Sequence, residues 1–335
     1  MHVIVEDFGA FIGKTSERLV IRSGKASTRE IPLFDVEAVL VVGQGVTLSA
    51  DAIRACMERG APIDFIDGRG VPYAKIMSPQ LQGAVQTRRA QLEAYRDDRA
   101  VSLSRAFVYG KLRQQANLLK YWAKHRQREQ SLYERLRARA AEVDDYAARV
   151  VEVPGENIDE VRSAIMAVEA SGAKVYWDGV KEVLPEDLMF PGRRHQEAED
   201  PLNRLLNYGY GILQSHAARC LLLAGLDLHA GYLHADRSGR PSLVLDFMEE
   251  FRVPVVDRTV FSMVNKGYRP DVQEDGTFTL EDRRRLAGEI MERLASKDRY
   301  AGKKFSLGTI MQEQARHVAT FVRGERPYEP FVWSW

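Results

Sequence analysis

Two textures meet in this chain, and the second limits the possible folds most. From about residue 84 to 145 there are few helix breakers. Stretches such as RRAQLEAYRDDRAVSLSRAFVYGKLRQQANLLKYWAKHR run on without a turn signal. A tract of this kind must bury long helices against one another. Further helices are predicted at 157–171, with Asn157 as a cap, and at 201–225, 243–252, 280–296 and 307–323. Loops are expected at 151–158, 185–201 and 266–276.

Up to about Pro79 the pattern is short, β-rich and punctuated. HVIV (2–5), RLVIR (18–22), REIPL (29–33) and VEAVLVV (36–42) read as strands, with FGAFIG and RSGKAST as glycine-bearing turns between them. Ser49 is placed to cap the helix ADAIRACMER, and Gly60 to follow it as the C′ residue. PIDFID (62–67), the turn GRG and VPYAKIM (71–77) read as a closing hairpin. GQG at 43–45 lacks the third glycine and the βαβ frame of a nucleotide-binding loop, so it reads as a turn. The expectation is an α+β chain: a small β-rich N-terminal domain (1–78), a linker (79–83) and a larger all-α domain (84–335).

With 45% hydrophobic and 28% charged residues, the composition is that of an ordinary soluble globular protein. No apolar run approaches the roughly 18 residues of a membrane span. The start, MHVIVEDFGAF, has acids where a signal peptide carries basic residues. Cys56 and Cys220 lie far apart and form no CxxC, so reduced, buried thiols in a cytoplasmic protein are expected. The net charge of +1 hides an uneven distribution. Between Arg88 and Arg139 stand 14 Lys and Arg against five Asp and Glu, and a second basic concentration runs from Arg283 to Arg326. Such runs are either solvated helix faces or a phosphate-contacting surface.

The chemistry-bearing stretch is GYLHADRSGRPSLVLDFMEEFR (231–252). If SLVLDFMEEF is helical, Asp246, Glu249 and Glu250 stand at i, i+3 and i+4 on one face, with Leu243, Val244 and Phe247 turned to the core and Arg252 and Pro254 ending the helix. Crowded carboxylates repel one another unless something positive sits among them. Two readings stand: a solvated face, or a divalent cation with His234 supplying a nitrogen ligand. Upstream, Glu169 is embedded in AIMAVEASGAKVYW among Ala167, Ala170, Gly172 and Ala173. A buried acid there needs a partner, either an arginine such as Arg193 or Arg194 or a metal. Oxygen-rich ligation with one imidazole and no thiolate favours Mg²⁺ or Mn²⁺. In a basic helical domain, that suggests phosphoryl-transfer chemistry on nucleic acid.

Taken in order, the motifs VEAVLVVGQGVTLSADAIRACMERGAPIDFID, KLRQQANLL, MAVEASGAKVYW, DPLNRLLNYGYGIL, GYLHADRSGRPSLVLDFMEEFR and YEPF resemble the CRISPR-associated Cas1 family over nearly the whole chain. The resemblance implies an integrase and endonuclease that inserts new spacers into CRISPR arrays. Its N-terminal domain would form a homodimer, and its helical domain would be catalytic. It implies Glu169, His234 and Glu249 as catalytic residues and ligands of Mg²⁺ or Mn²⁺, with Asp246 assisting. It leaves His229 structural and has Tyr176 and Trp177 packing. Arg193, Arg194 and Asn203 become candidates for DNA contact. Partners implied are double-stranded DNA (the incoming fragment and the leader–repeat), a small Cas2 protein, and a nuclease that trims the fragment, with no membrane. Ala170 and Gln114 depart from the family's usual glycine and asparagine without removing a ligand. Rival readings are a non-catalytic DNA-binding scaffold and a general metal-dependent nuclease acting on branched DNA.

Overall fold

Short apolar runs build the N-terminal region as two sheets. The computed structural model describes residues 1–24, 27–78, 85–194, 200–273 and 275–333; the expected linker at 79–83 lies outside them. One sheet runs β4 (Ser27–Pro32), β3 (Arg18–Ser23), β2 (Phe11–Thr15), β6 (Thr47–Leu48). The other runs β1 (His2–Val5), β5 (Ala38–Val41), β7 (Ile63–Ile66), β8 (Pro72–Ile76), with β1–β5 and β5–β7 parallel. Parallel neighbours need a crossover, and α1 (Ala50–Glu58) lies on the one between β5 and β7. Ser49 Oγ accepts its first-turn N–H from Ala52 at 3.1 Å, and Gly60 follows it at φ +69°. Val3, Ile12, Leu19, Val39 and Ile63 fill the core between the layers.

FGAFIG turns only at Phe8 and Gly9: from Phe11 it runs on as the strand Phe11–Thr15, antiparallel to β3, with Ile12 fully buried. Its glycines obscure a strand that the sheet pairing supports.

The remainder is mostly helical: α2 (Val85–Ala94), α3 (Asp98–Lys124), α4 (Gln130–Glu152), α5 (Ile158–Lys181), α6 (Pro201–Leu223), α7 (Ser242–Phe251), α8 (Arg258–Asn265), α9 (Leu280–Ala295) and α10 (Leu307–Val322). Asn157 caps α5 as expected, accepting from Asp159 N at 2.9 Å. A hairpin, β9 (Lys297–Tyr300) and β10 (Lys303–Ser306), adds strands that an all-α reading did not include. A further change concerns Pro254. It does not end the helix, because Arg252–Asp257 continue as a π-helical turn into α8. The wider π spiral absorbs a residue without an N–H, and Arg293 Nε donates to Pro254 O at 2.7 Å.

Helix α3 is central, with α4, α5 and α7 packed on it. Helix α5 comes close because a Cβ at Gly172 would meet Leu112 Cδ2 at 2.6 Å, and one at Gly179 would meet Leu119 Cδ2 at 2.8 Å. The NYGYG motif of α6 is a docking notch for the N-terminal region. A Cβ on Gly211 would sit 1.6 Å from Gly70 O in the β7–β8 turn, so only glycine permits this contact.

Candidate active site

Burial decides between the two readings of the α7 acids. Asp246, Glu249 and Glu250 are 0%, 4% and 0% exposed, which excludes a solvated face. They do not gather on a single partner either. Asp246 Oδ2 accepts the backbone N–H of Tyr232 (2.7 Å) and Leu233 (3.0 Å), while Oδ1 accepts that of His234 (2.9 Å). The His234 Nδ1–H donates to the same Oδ1 at 2.6 Å. Asp246 therefore folds the GYLH loop onto α7 and orients the imidazole. Nε2 makes no hydrogen bond among the described residues. This arrangement, a carboxylate on one ring nitrogen and the other left open, typifies metal-binding histidines.

Glu249 Oε2 lies 2.7 Å from Lys111 Nζ and 3.0 Å from Arg252 Nε. Burial opposes its ionisation, but the charges of Arg252, Lys111 and His234 outweigh it and hold the carboxyl at about 2. Glu250 has no such help. Burial pushes it up to about 8, and its bonds from Tyr328 OH and Phe331 N–H (3.0 Å) offset only part of that.

Glu169 reaches the same place from α5, with Oε1 2.5 Å from Lys111 Nζ. Its partner is thus neither Arg193 nor Arg194. Of its small neighbours, Gly172 packs inward while Ala167 and Ala170 lie exposed. Burial opposes the Lys111 charge, yet Glu169 and Glu249 more than restore it, so its pKa rises. Sequence reasoning misses Lys111, although a signal exists. It lies four residues after Phe107 and three before Gln114, on the buried side of α3.

Among the described residues no three His, Cys, Asp or Glu side chains are grouped to hold a metal as they stand. The donor chemistry nevertheless fits a hard cation. Two carboxylates from different helices converge on one positive charge, the Lys111 ammonium. Glu249 Oε2, within ion-pair distance of both cations, has no aligned hydrogen bond, and His234 keeps a nitrogen free beside them.

The three candidate DNA contacts separate. Asn203 is fully buried and spends its amide internally: Oδ1 accepts from Arg193 Nη1 and Arg194 N at 2.9 Å, and Nδ2 donates to Gly192 O and Asp200 Oδ2 at 2.8 Å. Arg193 also donates to Asn207 Oδ1 at 2.7 Å. Its guanidinium stands over the Tyr210 ring, 5.2 Å from the centroid, as does that of Arg252 at 4.6 Å. Only Arg194 is exposed. Tyr176 packs as expected, fully buried, its hydroxyl donating to Asp257 Oδ2 at 2.7 Å, and Trp177 packs tilted against Phe190 and edge-on against Phe261. His229 Nδ1 contacts Arg240 O at 3.0 Å, away from this cluster. Beside Arg252 opens a cavity of about 440 Å³ between the β7–β8 turn and α6, walled by Tyr208, Tyr210, Met248 and Phe278.

The family model described as CRISPR associated protein Cas1 matches residues 3–290. The chain is 36% identical to CRISPR-associated endonuclease Cas1 1 of Archaeoglobus fulgidus over the full length of both. In structure it is similar to a casposase bound to integration product, with a TM-score of 0.83 at 21% identity over 98% of this chain and 92% of that one. It is also similar to a Cas6-RT-Cas1–Cas2 complex, with a TM-score of 0.77 at 22% identity over 99% of this chain and 36% of that one. At such identities the structural likenesses speak for the fold, and the full-length sequence match speaks for descent. The chain belongs to the CRISPR-associated Cas1 family.

Proposed function

We propose that this chain is a divalent-metal-dependent DNA endonuclease and strand-transfer integrase that inserts captured DNA fragments into a CRISPR array. The observation that carries the reading is the meeting of Glu169 and Glu249, from α5 and α7, on one buried positive charge beside His234. The relative named endonuclease and the neighbour bound to integration product support the same class of reaction. Mg²⁺ or Mn²⁺ held by Glu169, His234 and Glu249 would supply charge neutralisation at the phosphodiester and activation of the attacking oxygen.

The chain's own groups do the rest. Asp246 orients the ring of His234 through its Nδ1–H and holds the loop around it through three backbone N–H groups. Arg252, stacked on Tyr210, keeps Glu249 ionised at the pH of the reaction. Lys111 compensates the carboxylates when no other cation is present, and its ammonium is available to a phosphate oxygen once displaced. The 3′-OH of a fragment forms a new O–P bond while the old 3′ oxygen leaves, so one phosphodiester replaces another. Arg194, exposed at the edge of the site, is the candidate backbone contact. The partners proposed are double-stranded DNA, a second copy of this chain through its β-rich region, a small Cas2 protein and a trimming nuclease. The Cas1–Cas2 complex among the structural neighbours supports the Cas2 pairing.

The test is strand transfer of a labelled fragment into a repeat-bearing duplex, with Mn²⁺ or with chelator, with and without the Cas2-type partner. Product that requires Mn²⁺ is expected. A rival reading, the non-catalytic scaffold, is favoured by one observation: Lys111 and Arg252 supply counter-charge to Glu169 and Glu249 from within the chain. DNA binding indifferent to divalent ions, with no product under any condition, would establish that rival.

A further inference from the structure

The β9–β10 hairpin carries a charge pattern that the active site does not explain. In register, Arg299 faces Lys304 and Lys297 faces Ser306, so these lie on one side of the ribbon. The other side holds Asp298 opposite Phe305 and Tyr300 opposite Lys303. Apart from Lys303, which is exposed next to the tip, that side is the root. Asp298 accepts from Arg293 Nη2 at 2.7 Å and from Trp333 Nε1 at 3.1 Å, and the Tyr300 ring packs against Phe331 at 6.1 Å and Phe305 at 6.4 Å. The only acid of the hairpin is thereby turned inward and neutralised.

Lys297, Arg299, Lys303 and Lys304 are all exposed, and none has an ion-pair partner among the described residues. Two cations placed directly opposite on paired strands destabilise the ribbon. Its tip adds to the cost. Ala301 and Gly302 both have positive φ (47° and 77°), which makes a tight two-residue turn with a non-glycine residue in the left-handed region. A fold that retains a strained, self-repelling element has a use for its charge.

We infer that this hairpin is a DNA-backbone contact, a basic ribbon that seats against the phosphates of a duplex held by the protein. The inference rests on the proposed action on DNA and adds a surface to it. The chemistry matches. Same-side residues on a strand are about 6.7 Å apart, close to the spacing of successive phosphates along one strand. A two-stranded ribbon also fits the roughly 12 Å width of the major groove. The root ties the ribbon to the catalytic helix, because Phe331 stacks on Phe251 at 5.9 Å and its N–H binds Glu250. Duplex gripped by the ribbon is therefore held relative to the helix carrying Glu249.

The experiment compares duplex binding by fluorescence anisotropy across a salt series. The variants are wild type, the neutral Lys297→Gln/Arg299→Gln/Lys303→Gln/Lys304→Gln chain and the charge-preserving Lys297→Arg/Lys303→Arg/Lys304→Arg chain. The neutral variant should bind at least about tenfold more weakly, and its salt slope should fall by about 0.9 for each phosphate it no longer neutralises. The charge-preserving variant should match wild type. Thermal midpoints should be unchanged or raised in the neutral variant, since repulsion is removed. Equal affinity and slope in wild type and neutral variant would overturn the hairpin assignment alone. So would equally weakened binding in both variants. Failure of the wild type to bind duplex would instead overturn the proposed function.

Discussion

One side of α7 carries Glu249 into a cluster of cations, while the next residue, Glu250, enters a neutral socket made by the C-terminal segment. Both are almost wholly buried. Glu249 faces Lys111 and Arg252 and is held at about 2; Glu250 faces the Tyr328 hydroxyl and the Phe331 N–H and is pushed to about 8. Burial alone disfavours the charge of any carboxylate, so counter-charges make the whole difference. The same helix thus offers a permanent anion to the site and a neutral acid to the strap that clamps it. Gln114 reinforces that strap by bonding Phe331 O at 2.9 Å and Trp333 N at 3.1 Å.

The comparison breaks first at Glu249. Glu249→Gln keeps the shape and removes the anion, and should lower Mn²⁺-dependent strand transfer on the order of 10³-fold. Glu169→Gln and His234→Ala should fall similarly. Full activity in any of the three would remove that residue from the site. A largely buried group whose one nearby carboxylate is outweighed by burial, His2, tests the role of burial at the seam between the N-terminal sheet and α6. Its ring is 5.5 Å from His216 and also faces Glu37, Arg219 and the Met1 amine, and burial lowers it from 6.5 to about 4. A lowered histidine leaves stability complete above about 6.5 and drains it as the pH falls through about 4, by at most roughly 3 kcal/mol. Thermal midpoints of wild type and His2→Gln between pH 4 and 7 should therefore converge at acid pH; parallel curves would contradict the assignment.

Asp246→Asn should weaken Mn²⁺ binding by about 10–100-fold, because it disturbs the carboxylate that orients His234. Calorimetry reads this directly, and unchanged affinity would make Asp246 a loop anchor only. Glu250→Gln should change least. A neutral amide replaces a neutral acid, and strand transfer should stay within about threefold. A drop as large as that of Glu249→Gln would erase the distinction between the two sides.

Much of this was legible in the sequence because it is local. Asn157 and Ser49 announced their helices by capping chemistry, and the apolar spacing of Leu243, Val244 and Phe247 set the buried face of α7. The motif order around Glu169, His234 and Glu249 pointed to the family. The readings that failed were also local: glycines hid β2 in FGAFIG, and Pro254 seemed to end a helix that a π turn carries onward. The candidate contact Asn203 looked available because sequence spacing says nothing about whether an amide is already satisfied.

By itself the sequence determined the kinds of element, their order, the apolar faces and the set of acids from which a site could be made. Only the tertiary structure decided which acid is charged and what stands between them. Lys111, Glu169 and Glu249 belong to three separate helices, and Glu250 is met by residues from the far end of the chain. Hydrogen bonding and electrostatics act over a few ångströms of space and depend on how fully water is excluded. Neither quantity exists until the helices have packed.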